Sequence, residues 1–339
     1  NFLDNGNIVV MWDDRSSILN TDNELVSFSI MQPNGTQIKT ATLASLQDIF
    51  DNMCAVKGGF VIRAHGELLF YNNAGTLMFS NNVVSSGMNF GGSADTGGRG
   101  DGIRIGGDIR SSFVFVAGTI NGGGGSAELG VAAWDVRTGQ FVGGAVVTDG
   151  DPTVEQSDRA SVAVDALNRV CVVWAYKPDR NVFGYQIAAR VAQFDGKNFN
   201  WQTHTFYPFV NHDQDPNNVL GFSMVGPTVA MNTRQICVAA KGYFNNVNNA
   251  AAGPNSLSEQ TVYTVVSHPA PVAAPQPTVA ITKSGSNLNL NWDGEAGLFT
   301  VQTRSSLSSG GWANATAGNV APPVSIPAGN GPLFVRLAR

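Results

Sequence analysis

The stretch SVAVDALNRVCVVWAYKPD, Ser161–Asp179, decides how this chain folds. It reads as a first strand at Val162–Val164, a turn at Ala166–Arg169, and a second strand at Val170–Ala175 that is apolar at every position. A strand with one wet face alternates apolar with polar side chains, whereas a strand covered on both faces is apolar throughout. VCVVWA does not alternate, so a sheet is expected against each of its faces.

Four other stretches match its second half: DNGNIVVMW (Asp4–Trp12), VKGGFVIRA (Val56–Ala64), IRSSFVFVA (Ile109–Ala117) and NTRQICVAA (Asn232–Ala240). Together with LNRVCVVWA they align Val10, Ile62, Phe115, Val172 and Val238, at spacings of 52, 53, 57 and 66 residues. Each of the first four units continues into a strand pair bent at Asn-Gly, Ala-Gly, Thr-Gly or Asp-Gly, which supply the positive φ of a tight hairpin. Self-similarity near 50 residues, in four-stranded antiparallel units packed on both faces, predicts a β-propeller over residues 1–267. Five blades is the simplest count. The fifth unit stops after TVYTVVSH, and the first opens inside a strand at NFLDNGNIVVMW. A strand completing the ring is therefore expected from upstream residues or from a neighbouring subunit, and further blades upstream would fit equally well. At most one short helix is expected, with LASLQDIFDNM (Leu43–Met53) the best candidate.

The Pro-rich segment 268–277, HPAPVAAPQP, reads as a linker. Beyond it, residues 278–339 carry short alternating strands (TVAITKSG, NLNLNW, LFTVQTRSS, VSIP and LFVRLAR), as in a small sandwich of the immunoglobulin or fibronectin type III kind. Composition agrees with an all-β chain: of 339 residues, 39 are Gly and only 13% are charged. A net charge of −5 offers no basic field for nucleic acid, and no apolar run is long enough to span a membrane. Cys54, Cys171 and Cys237 are odd in number and far apart. Cys171 and Cys237 hold the same repeat position on sheets that would lie about 10 Å apart, so both are expected to be reduced.

SVAVDALNRVCVVWA followed by YQIAARVAQFDG resembles repeats of secreted bacterial β-propeller proteins, whose blades open P-x-V-A-x-D and run on to V-V-x-W and D-x-G. NLNLNWDGEAGLFTVQTRSSL with the terminal LFVRLAR is similar to short C-terminal sandwich modules of bacterial exoproteins, which act in anchoring or assembly. The resemblance implies export to the extracellular space or cell surface.

In a propeller, the loops entering each first strand and leaving each second strand open on one face, where ligands usually bind. The ligand-binding candidates there are Asp13, Asp14, Arg15, Asp101, Asp151, Asp158, Trp174, Tyr176, Asp179 and Arg180, with Asp95, Arg99, Asp149, Glu155, Lys177 and His212 nearby. Carboxylates beside aromatic rings suit a sugar; acidic loop residues also simply keep a low-charge protein soluble. Asp213, Asp215 and Asn217 in DQDPNN form either an Asx-rich turn or an irregular surface calcium site, and no other cofactor is implied. Arg99-Gly100-Asp101 is a three-residue match to an integrin motif and carries little information. The reading is a non-enzymatic extracellular protein for adhesion, fibre or matrix assembly, or glycan or protein binding, whose partners include copies of itself through strand addition. The alternative is a propeller-fold glycoside hydrolase. That would need two carboxylates about 5–9.5 Å apart, drawn from Asp13 or Asp14 with Asp101, Asp151 or Asp158; the repeat signature S-x-D-x-G-x-x-W of sialidases is absent.

Overall fold

The computed structural model describes every residue except 15–24, 44–51, 65, 89, 91–102, 121–127, 149–154, 178–185, 210–222, 245–257, 269–278, 293–298, 307, 309, 319, 330 and 339. The described residues form seven antiparallel sheets. The first holds β1 (Ile8–Asp14), β2 (Leu25–Met31) and β3 (Gln37–Thr42), and the second β4 (Asn52–Val56), β5 (Gly59–Ala64), β6 (Glu67–Asn72) and β7 (Leu77–Asn82). The third holds β8 (Ile103–Gly106), β9 (Phe113–Ile120), β10 (Glu128–Asp135) and β11 (Gln140–Val146). The fourth holds β12 (Glu155–Val164), β13 (Arg169–Lys177), β14 (Gln186–Phe194) and β15 (Phe199–Trp201). The fifth holds β16 (Ser223–Met231), β17 (Gln235–Phe244) and β18 (Ser258–Ser267). Strands neighbour one another in chain order within all five, so each is a meander. The five repeat positions fall on the equivalent strands β1, β5, β9, β13 and β17.

Why those strands lack alternation is visible in the packing. Along β13, Val170, Val172 and Trp174 join one apolar cluster with Phe115, Ala117 and Val131 of the third sheet. The intervening Cys171, Val173 and Ala175 join another with Ile236, Val238 and Ala240 of the fifth. Strand β9 divides the same way, Phe115 and Ala117 facing the fourth sheet and Val114 and Val116 facing the second. In β5, Val61 meets the third sheet while Phe60 and Ile62 meet Val9, Phe28 and Ile30 of the first. Fully burying one such side chain contributes about 1.5–3 kcal/mol, so each face of a central strand is strongly held. The protein thus has the β-propeller fold, its sheets stacked face to face with four apolar clusters between five of them.

Among the described residues no cluster joins the fifth sheet to the first. On the end sheets polarity alternates in β2 (Val26, Ser27, Phe28, Ser29, Ile30), whose five residues are all buried, whereas β1 and β17 stay apolar over Val9–Trp12 and Ile236–Ala240. In β17 and β18 the residues turned from the fourth sheet include Cys237, Ala239, Tyr263 and Val265, the last two 75% and 50% exposed. On the first sheet Val10 and Trp12 are exposed, beside a band of hydroxyls in which Ser27 meets Thr42 at 2.9 Å and Thr40 donates to Ser29 at 3.2 Å. The first sheet's missing strand is replaced in part by Asn1–Leu3: Phe2 bridges Ile8, and Val9 N–H donates to the Asn1 carbonyl at 2.9 Å.

The expected helix at Leu43–Met53 meets a correction at its end. Asn52 and Met53 begin strand β4, where Met53 lies opposite Ile62, and residues 44–51 lie outside the described residues. The only helical turn described is a 3₁₀ turn at Val83–Ser86.

After 269–278 come β19 (Val279–Ser284), β20 (Asn287–Trp292), β21 (Thr300–Arg304), β22 (Ala313–Asn314), β23 (Val324–Pro327) and β24 (Phe334–Ala338). Strands β19-β20-β23 form one sheet and β22-β21-β24 another, and Leu290, Trp292, Phe299, Val301 and Ile326 fill the core between them. This is the small sandwich that the alternating pattern predicts.

Candidate functional site

The two ends of the propeller sheets differ in kind. At one end, the third, fourth and fifth sheets turn from first to second strand with the Asx side chains Asp108, Asp165 and Asn232 closing the turns. The Asp165 Oδ1 accepts the backbone N–H groups of Leu167 and Arg169 at 2.9 and 3.0 Å, allowing Asn168 its left-handed φ of 57°. Successive turns are also tied to one another. The Asp4 carboxylate accepts Gly58 N–H at 2.7 Å and the Asn73 amide at 2.6 Å; Lys57 N–H donates to the Ser111 carbonyl at 3.0 Å; Ser111 Oγ donates to Asn168 Oδ1 at 2.7 Å.

The tie from the fourth sheet to the fifth is buried and ionic. Arg169 and Asp165 are 1% and 0% exposed, with Nε donating to Oδ2 at 2.8 Å. Arg169 Nη2 donates to the Thr233 carbonyl at 2.9 Å and Nη1 lies 3.2 Å from His268 Nδ1. A guanidinium only donates, so this imidazole nitrogen accepts and the ring is neutral. His268 is itself 1% exposed, its N–H donating to the Arg234 carbonyl at 2.7 Å, which pins the chain just before 269–278. These contacts join the fourth sheet to the fifth, so the group acts as a clamp. The sequence offered no signal for it, because Asp165 and Arg169 read as ordinary turn residues and His268 as the start of a linker.

The opposite end is where the candidate ligand residues cluster in the topology. Glu155 pairs with Lys177 and Gln156 with Tyr176, so the start of β12 and the finish of β13 lie together, and Asp13 and Asp14 close β1 at the equivalent end of the first sheet. Asp158 is a strand residue instead of a loop residue. It sits in an irregularity of β12 between Gln156 and Ala160, the kind of bulge that re-aims side chains at sheet ends. Arg15, Asp101, Asp151, Asp179 and Arg180, and the calcium candidates Asp213, Asp215 and Asn217, lie outside the described residues.

Trp174 requires correction. It is 2% exposed and packs in the cluster between the third and fourth sheets, so its indole is core and cannot stack on a ligand at the open face. Its place on a strand apolar on both sides was already the argument for burial, and the aromatic label outweighed it. Conversely, Arg63 was passed over. It is 2% exposed, one residue from the end of β5 and opposite Asn52, and a lone arginine in FVIRA was its only mark in the sequence.

Among the described residues no group of three or more His, Cys, Asp or Glu could hold a metal ion, and no helix is long and apolar enough to cross a membrane. The three cysteines are free thiols; burial raises the Cys171 thiol to about 12 and pushes Cys54 up as well.

No family model matches the sequence, and no curated protein matches it. Solved structures do share its architecture. An α-L-arabinofuranosidase from Podospora anserina, in complex with cellotriose, is 10% identical over 80% of this chain and 90% of its own, with a TM-score of 0.37. The β-propeller domain of the trilobed protease from Pyrococcus furiosus is 7% identical over 87% of this chain and 80% of its own, at 0.37. An endo-arabinase from Bacteroides thetaiotaomicron is 9% identical over 96% and 94%, at 0.34. An arabinofuranosidase and an endo-arabinase are thus among the structures similar to it, at TM-scores that say nothing of this chain's activity.

Proposed function

We propose that the protein is a non-enzymatic assembly and binding protein of the extracellular space, whose propeller joins other copies through its end sheets. The observation that carries this is a pair of end faces on which, among the described residues, no neighbouring sheet packs. A sheet in this molecule is stable against another sheet, yet Tyr263 and Val265 on the fifth and Val10 and Trp12 on the first stand exposed. Strand β18 also stands at the edge of its sheet, and such an edge recruits further strands, whereas the edge of β1 is taken in part by Asn1–Leu3. A first-on-fifth contact is heterologous, so it propagates or closes into a ring of copies. The resemblance of the repeat to exported proteins supports the extracellular placement.

Sedimentation velocity tests the proposal. The chain should associate as its concentration rises, Tyr263→Lys with Val265→Lys should hold it monomeric, and Ile281→Lys, at an exposed position of the sandwich, should leave association intact. A wild-type chain that stays monomeric across the range would refute it.

A second reading, a glycoside hydrolase, draws on Asp13 and Asp14 at the end of β1 and Glu155 and Asp158 in the first half of β12, at the same end of their sheets. Two carboxylates there are what glycoside cleavage needs. Release of reducing ends from an arabinose-containing polysaccharide, lost in Asp158→Asn, would support it; no release would retire it.

A further inference from the structure

The sandwich carries a polar face that neither its core nor the propeller explains. On β21, Val301 enters the core while Gln302 and Arg304 point the other way; on β24, Val335 and Leu337 pack inward and Arg336 is exposed. Gln302 lies opposite Asn314 on one side and Arg336 on the other, so the three form a row across the sheet. The row is tied together: Gln302 Nε2 donates to Asn314 Oδ1 at 2.8 Å, and Arg336 Nε donates to Gln302 Oε1 at 2.9 Å. Over it lies Trp312, with the Arg336 guanidinium 4.5 Å and the Arg304 guanidinium 5.3 Å from the ring centroid. Arg304 Nε is engaged by the Ser306 carbonyl.

Two like charges held on one ring repel each other, and the ring's attraction for each, roughly 0.5–1 kcal/mol at an exposed site, offsets that only in part. A counter-anion would complete the balance, but no carboxylate pairs with either arginine among the described residues. The surroundings reinforce the field: residues 278–339 hold four basic residues against two acidic, whereas 1–277 hold 16 basic against 23 acidic. With both Nε atoms engaged, each guanidinium is fixed in orientation, and its two Nη groups are the pair that could receive an oxyanion bidentately.

Magnitude chooses between a small anion and a polymer. One exposed arginine–carboxylate pair is worth about 0–1 kcal/mol, so a single acid would scarcely stay bound. A chain of repeated carboxylates gains effective concentration with every added contact. The row runs across a three-stranded sheet, which suits an extended chain, and the Gln302 and Asn314 amides can serve neighbouring hydroxyls. We infer that the Arg304–Trp312–Arg336 face is a docking surface for an acidic polysaccharide, its uronate carboxylates received by the two guanidiniums. This deepens the binding role proposed above, yet uses no residue of the propeller's end sheets.

The test is binding of the whole chain to immobilised polygalacturonate, with dextran and polyglutamate as comparison surfaces. Arg304→Gln and Arg336→Gln should each weaken binding by about threefold to fivefold, and the pair should reduce it to the level on dextran. Arg336→Lys, which keeps charge and loses the fork, should fall between. Lys283→Gln, on β19 of the other sheet, should weaken binding less than either arginine variant. Thermal melts of the variants separate lost binding from lost folding, and the monomeric Tyr263→Lys, Val265→Lys chain should still bind, so this inference and the assembly proposal fail independently. Equal binding by the double variant and wild type, or binding to polyglutamate as strong as to polygalacturonate, would overturn it.

Discussion

Asp195 shows how much one carboxylate can organise at a turn. It accepts the backbone N–H groups of Asn198 at 2.7 Å and Lys197 at 3.0 Å, with side-chain amides of Asn198 and Asn200 at 3.3 and 3.2 Å. Those donors favour the ionised form and hold the carboxyl at about 2. The folded value is below the unfolded one, so the stabilisation is present above the ordinary carboxylate range near 3.9 and is lost as pH falls toward 2. Asp195→Asn should therefore melt below wild type at pH 6, by a small margin because the site is exposed, and the two curves should converge between about pH 4 and pH 2. A gap independent of pH would show that the charge is not the source. The buried Asp165–Arg169–His268 clamp differs in kind. There the charges are enclosed, and their role is to fix one arrangement of the fourth sheet on the fifth.

The spacing of the sheets depends on where backbone can meet backbone. A Cβ on Gly143 of β11 would lie 1.9 Å from the Lys197 carbonyl in the neighbouring sheet's turn, and one on Gly106 of β8 would lie 2.4 Å from the Val162 carbonyl. Neither contact can be relieved by rotating a side chain. At Gly144 the nearest atom is the Met88 sulfur at 2.2 Å, the far end of a flexible side chain. Gly143→Ala should accordingly cost about 1–3 kcal/mol in urea unfolding, and Gly144→Ala clearly less. Equal costs would mean that the third and fourth sheets are not in this close contact. At the same scale, the sequence disclosed the strands of the sandwich and the central strands of the propeller, because apolar periodicity follows directly from which faces are covered. It did not disclose the irregularity holding Asp158, since a bulge depends on the partner strand's register. It also misread the end of the supposed helix, where Asn52 and Met53 answer to pairing with Arg63 and Ile62.

For the whole molecule, the repeat made the number and order of the sheets legible: five matched stretches became five equivalent strands. The candidate ligand face was legible only as a set of strand ends, because loop residues carry no period from which to place them. Trp174 went astray for a related reason, its chemical type suggesting a binding role that its strand position denied. What no periodicity could reveal is that the row of apolar clusters stops at four, since that depends on how the end sheets meet.

Thiol labelling of the native protein at low concentration probes that arrangement directly, because the three cysteines sample it at three depths. Cys54 faces the third sheet, Cys171 faces the fifth, and Cys237 lies opposite the exposed Val265 on the fifth sheet's uncovered side. One thiol per chain, Cys237, should react with a thiol reagent in the native state, and the other two only on unfolding. Reaction of none, or of Cys171 together with Cys237, would contradict an open stack of five sheets.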